Sequence, residues 1–169
     1  IAPRFFLSDP NVEILPISGK SNTHTILCNE NGYFPVYKSD RYGLRNPDKV
    51  WDNKNIEILV IGDSTAAGAC VYNEDSVVGN LRKKVGKYNI INLSYPGNGP
   101  LVELASLKEF IKNIKPKIVL WMYMENNDLY DLNYEKKNSI LNKYLTDENF
   151  SQDLINNQEK VDELTLKKF

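Results

Sequence analysis

Ile56-Glu57-Ile58-Leu59-Val60-Ile61-Gly62-Asp63-Ser64 is the stretch that decides the fold. Its first six residues are β-branched or aliphatic with one charge, and they stop abruptly at glycine. A parallel strand covered on both faces reads this way, whereas a half-exposed strand alternates. Two later runs share the character: Asn89-Ile90-Ile91-Asn92-Leu93 and Lys117-Ile118-Val119-Leu120-Trp121-Met122-Tyr123-Met124. The segments between them have helical periodicity. One spans Asp75 to Val85, with Val77, Val78, Leu81 and Val85 on one side and Gly86 as its stop. The other opens at Pro100, turns Leu101, Leu104, Ala105, Phe110, Ile111 and Ile114 toward the sheet, and ends at Lys115-Pro116. Strand, helix, strand, helix, strand predicts the α/β class. If the strand order is 2-1-3, right-handed crossovers put the second and third strands on opposite sides of the first; Trp121, Tyr123 and both methionines of the third run read as core.

Upstream, residues 1–52 carry Pro, Asn and Gly punctuation. Thr23-His24-Thr25-Ile26-Leu27-Cys28 and Tyr33-Phe34-Pro35-Val36-Tyr37 flank Asn29-Glu30-Asn31-Gly32, a hairpin signal. This segment is expected to pack as an extension on an α/β core of residues 53–169. Past Leu132 the chain is rich in Asn and Lys without clear periodicity, and Ser151 to Phe169 then reads as a helix with Leu154, Val161 and Leu164 on one face. At 169 residues there is room for one domain. Lys+Arg 21 against Asp+Glu 22 gives a net charge of -1, without the basic footprint of a nucleic-acid binder. Cys28 and Cys70 offer no metal-ligand spacing. They read first as buried small hydrophobes, with a single disulfide in an oxidising compartment as the alternative. No apolar run reaches the length of a membrane span. The chain opens at Ile1, so an upstream segment bearing a signal or membrane tether is expected.

Each strand ends in a small polar cluster: Gly62-Asp63-Ser64, Pro96-Gly97-Asn98-Gly99 and Asn126-Asn127-Asp128. Ligand sites of open parallel sheets lie outside the carboxyl ends of the strands, so the three clusters should converge around Ser64. A strand-to-helix turn exposes a serine hydroxyl together with its own N–H. Gly97 brings a bare backbone N–H close to a substrate, and the Asn127 carboxamide adds a donor that does not titrate. Ser64, Gly97 and Asn127 are therefore the expected nucleophile and oxyanion donors of acyl transfer, with Asp63 and Asp128 organising the loops. No metal or cofactor is required.

Ile58-Leu59-Val60-Ile61-Gly62-Asp63-Ser64, Asn92-Leu93-Ser94-Tyr95-Pro96-Gly97 and Asn127-Asp128 resemble, in order and spacing, the first three blocks of the SGNH hydrolases, the GDSL-type esterases and lipases. Asp40-Arg41-Tyr42-Gly43-Leu44-Arg45-Asn46 is similar to the lead-in of envelope-associated members. The resemblance implies a flavodoxin-like three-layer α/β/α fold, Ser64 as nucleophile, and Gly97 and Asn127 in the oxyanion hole. The chain departs from the family in two places. Glu125 stands where the third block has glycine, and the last block, Asp-x-x-His, is missing. The only histidine is His24, in the hairpin. Three strands without a base are expected for a chain that continues past Phe169, and residues 1–169 alone should show negligible turnover.

The expected activity is that of a serine esterase or acyl hydrolase, or an acyltransferase, working on small-molecule, carbohydrate, lipid or envelope-polymer esters in an extracytoplasmic setting. A non-catalytic saccharide- or acyl-binding module of the same fold is the alternative. A nucleotide-binding α/β domain has only Gly97-Asn98-Gly99 in its favour and lacks the phosphate-binding fingerprints.

Overall fold

A computed structural model describes residues 6–9 and 12–167. A small antiparallel hairpin comes first, β1 (His24–Ile26) with β2 (Val36–Lys38), in the register His24↔Lys38, Thr25↔Tyr37 and Ile26↔Val36. A 3-10 turn (Asp48–Asp52) leads into β3 (Ile58–Gly62). Then follow α1 (Ser64–Ala67), α2 (Val77–Lys84), β4 (Ile90–Asn92), α3 (Pro100–Ile114) and β5 (Ile118–Met122). Three helices complete the order: α4 (Asp128–Glu135), α5 (Ser139–Thr146) and α6 (Gln158–Lys167).

The three-stranded sheet is parallel throughout, in the order β4-β3-β5, and in that order right-handed crossovers put α2 and α3 on opposite faces. Its two faces feed two apolar clusters. Leu59, Ile61, Ile91 and Leu93 pack with α3, α5 and α6 through Leu101, Phe110, Leu141, Tyr144 and Val161. Ile58, Val60 and Ile90 pack with Ala66 and Val78 of α1 and α2. The protein is thus a mixed α/β fold with helices on both faces of the sheet. Among the described residues no helix is long and apolar enough to cross a membrane.

The hairpin, the three strands and α3 lie where the sequence places them, with shorter ends. Four expectations change. First, β5 is not a covered core strand: Ile118, Val119, Leu120 and Trp121 are 38–50% exposed and Tyr123 52%. Among the described residues it is the outer strand of the sheet, with one of its edges paired to no other strand. Second, Val77 is 45% exposed, because Ser76 caps α2 through the Gly79 N–H and leaves Val77 at the first helical position. Third, the segment after Leu132 is helical: α4 and α5 occupy it, and the final helix starts only at Gln158, with Leu154 buried in the turn before it. Phe169, the expected helix end, lies outside the described residues. Fourth, Cys28 and Cys70 form a disulfide rather than two buried thiols, because the loop joining β1 to β2 is brought beside the loop following α1.

Buried polar side chains join the N-terminal segment to the sheet. Asp40 is fully buried, and its carboxylate accepts from the Tyr42 and Leu44 N–H groups, the Asn46 carboxamide and the Trp51 indole. Asn46 in turn takes the place of a strand neighbour for β4: it accepts from Asn92 N–H at 2.8 Å and donates to Asn92 C=O at 3.0 Å. On the other side, buried Glu109 of α3 accepts from Ser151, Gln152, Leu154 and the Tyr144 hydroxyl, fixing the turn between α5 and α6.

The disulfide closes a loop between residues 42 apart that contains β2, β3 and α1. Reduction should lower the unfolding free energy by about 2–4 kcal/mol, as loops of this length do. Urea unfolding with and without a thiol reductant measures this; a difference below about 0.5 kcal/mol would mean that the cross-link adds little to stability.

Candidate active site

The turn after β3 is built for close approach. A side chain at Gly62 would put Cβ 2.7 Å from Ala66 Cβ and 3.0 Å from Met122 O, so only glycine lets β3 pass so near α1 and β5. Asp63 caps α1 by accepting from Thr65 N–H at 2.9 Å. Ser64 is therefore the first helical residue, partly exposed at the carboxyl end of the central strand. Its hydroxyl donates to Asp63 Oδ2 at 3.4 Å. Beyond α1, the Arg45 guanidinium gathers the loop by donating to Gly68 C=O, Val71 C=O and Asn73 Oδ1.

Asn127 precedes α4, and its carboxamide reaches back across the strand ends. Nδ2 donates to Asp63 Oδ2 at 3.2 Å and to Asp131 Oδ2 at 3.3 Å. Ser64 and Asn127 thus meet at one carboxylate. Both Asn127 N–H groups are taken by acids, so donating to an oxyanion requires Nδ2 to leave one of them. Asp128 is fully buried and holds the end of β5 by accepting from Met124 N–H at 2.6 Å. Burial, and then the neighbouring Asp63 and Asp131, push its carboxyl above the usual range.

Gly97 sits at φ +82°, a left-handed conformation that glycine adopts without strain. Its loop is anchored on α4 by Glu135, which accepts from Gly99 N–H at 2.7 Å and Leu101 N–H at 2.8 Å. Glu135 supplies the cap that Gly99 lacks at the start of α3. A Cβ at Gly99 would lie 2.7 Å from Asp131 Cβ, so the loop is seated against the same helix that carries Asn127. Among the described residues neither Ser64 N–H nor Gly97 N–H is taken by a protein acceptor. The three strand-end clusters are therefore linked, Ser64 to Asn127 through Asp63 and Gly97 to α4 through Glu135.

His24 does not join them. It is exposed on β1 opposite Lys38, and its side chain makes no hydrogen bond among the described residues. Among those residues no group of three or more His, Cys, Asp or Glu could hold a metal ion. Sequence reading missed Asp131 and Glu135, although Asn127, Asp131 and Glu135 repeat at four-residue spacing, the signature of one helix face. It also missed Glu103, buried on α3 and accepting from the Trp121 indole at 2.6 Å.

Burial raises the Glu103 carboxyl to about 8 and that of Glu135 to about 7. Both titrate higher in the folded than in the unfolded chain, so the folded state keeps protons that the unfolded state has released. Their contribution to stability is complete below about pH 4.5 and disappears as pH rises through 7 and then 8. Urea unfolding should show a lower midpoint at pH 9 than at pH 6, and Glu103→Gln, which keeps an acceptor for Trp121, should reduce that difference. A pH slope identical in parent and variant would remove Glu103 from this account.

No family model, no curated protein and no solved structure matches this chain.

Proposed function

We propose that this protein is a serine acyl hydrolase or acyltransferase of the SGNH type. The observation that carries the proposal is the Asp63 carboxylate, which brings the Ser64 hydroxyl and the Asn127 carboxamide together at the carboxyl end of the central parallel strand. In this reading the Ser64 hydroxyl attacks the acyl carbon of an ester and forms a tetrahedral intermediate. The oxyanion is met by the Ser64 and Gly97 N–H groups and by Asn127, once Nδ2 turns from a carboxylate. Collapse expels the alcohol and leaves an acyl-serine, which water or an acceptor hydroxyl then relieves. The proton from Ser64 passes to a general base, which the resemblance assigns to the histidine of an Asp-x-x-His block; His24 has no bond to the site that would fit it for this role. The substrates proposed are acyl esters of carbohydrate, lipid or envelope polymer. The Cys28–Cys70 disulfide supports an extracytoplasmic setting, since such bonds persist in oxidising compartments.

A second reading, a saccharide- or acyl-binding module without turnover, is favoured by one observation: both N–H groups of Asn127 Nδ2 already have acceptors and the Ser64 hydroxyl donates to a carboxylate rather than to an imidazole. A fluorophosphonate probe separates the two on the complete protein. Labelling that disappears in Ser64→Ala supports the hydrolase, and absence of labelling supports the binding module. If labelling occurs, Asn127→Ala should lower the rate of activated-ester hydrolysis by about a hundred- to a thousand-fold with an unchanged circular dichroism spectrum. Activity within a few-fold of the parent would exclude Asn127 as an oxyanion donor.

A further inference from the structure

On the α2 side of the sheet lies a cavity of about 230 Å³ whose wall includes Lys38, Arg45 and Arg82. We propose that it binds a phosphate group, either free or as the terminal monoester of a larger molecule. None of its lining residues belongs to the Ser64 site, so the proposal is independent of the acyl-transfer reading.

Charge is the first argument. Ion pairs among the described residues join Arg41 to Asp48 and Asp52, and Lys167 to Glu163; Lys38, Arg45 and Arg82 have none. The three hydrogen bonds of the Arg45 guanidinium all go to neutral oxygens, on Gly68, Val71 and Asn73. Arg82 gives Nη2 to Asn46 Oδ1 and Ile90 C=O, again neutral acceptors. The only carboxylate on the cavity wall is Glu74, an exposed residue whose charge acts on Arg45. The lining therefore carries two positive charges in excess, which match a phosphate monoester dianion.

Burial is the second. Arg45 is 7% exposed, and its cation lies over the face of Tyr37, 4.6 Å from the ring centre, with no carboxylate in salt-bridge contact. Burial lowers the Arg82 pKa to about 10, and the one acid opposing that shift, Asp40, reaches it only through Asn46. Buried cations without an anion cost stability, and a bound anion relieves that cost.

Unused donors are the third. Arg82 Nε and Nη1, and the Lys38 ammonium at the rim, make no hydrogen bond among the described residues. Both Nη2 hydrogens of Arg82 are taken, so a phosphate oxygen would be met by single charge-assisted hydrogen bonds, one from Nε or Nη1 of Arg82 and one from the Lys38 ammonium. The cavity is also larger than a bare phosphate, leaving space for an attached alcohol.

The test is calorimetric titration of the full chain with inorganic phosphate and, separately, with glycerol phosphate, at an ionic strength fixed with chloride. Saturable binding is expected in the parent, at least about tenfold weaker in Arg82→Gln and less strongly reduced in Lys38→Gln. Equal affinity for the two probes assigns the site to free phosphate, and tighter glycerol phosphate binding assigns it to a monoester. No saturable heat with either probe, or Arg82→Gln binding as tightly as the parent, overturns the proposal. Should Arg82→Gln fail to fold, the ¹⁵N-detected Arg82 Nε signal of the parent decides: a saturable shift on adding inorganic phosphate supports the site, and an unmoved signal overturns it.

Discussion

A carboxylate without water must find its hydrogen bonds in the protein, and Asp40 is fully buried. Satisfying it draws the 40–51 segment into one conformation, because two backbone N–H groups, a carboxamide and an indole all have to arrive at its two oxygens. Asn46, held this way, closes the β4 edge, and its neighbour Arg45 reaches the loop after α1. The N-terminal segment therefore does more than cover the core: it completes one margin of the sheet and fixes the backbone that follows Ser64. Removing the Asp40 carboxylate would leave four donors to reorganise, two of them on side chains that hold other elements.

The candidate site follows a different electrostatic logic. Asp63, Asp128 and Asp131 gather near Asn127, while Glu103 and Glu135 lie close enough to feel the same field. Part of this acidity is structural, as with Glu135 at the start of α3 and Asp128 at the end of β5. Its effect on chemistry is adverse to a developing oxyanion unless some of the carboxyls carry protons. The raised values of Glu103, Glu135 and Asp128 all run in that direction.

What could be read in advance was what depends on local pattern and handedness. Buried parallel runs such as Ile58–Ile61 have a signature of their own, and a right-handed crossover fixes the face each connecting helix takes once the strand order is given. The small polar residues at the strand ends marked the rim where Ser64, Gly97 and Asn127 lie. The rest was hidden for identifiable reasons. An apolar run such as Ile118–Met122 reads the same whether or not a neighbour covers it, so the exposure of β5 left no trace in the pattern. In α4 the buried residues are Asp128, Asp131 and Glu135, the reverse of the usual helix, so hydrophobic periodicity could not reveal it. Cys28 and Cys70 are joined only once tertiary structure brings them together.

The uncovered edge of β5 bears on how copies of this chain behave toward one another. Ile118-Val119-Leu120-Trp121-Met122-Tyr123 is an uncharged hexapeptide of high β-propensity, and among the described residues no strand pairs with the outer edge of Ile118–Met122. Such segments nucleate cross-β assembly unless they are interrupted or flanked by charge and proline. Lys115-Pro116-Lys117 on one side and Glu125 on the other are gatekeepers of that kind, and no residue within the run shares the task. Protection of that run against edge-to-edge pairing is thus placed on four flanking side chains and on none inside it.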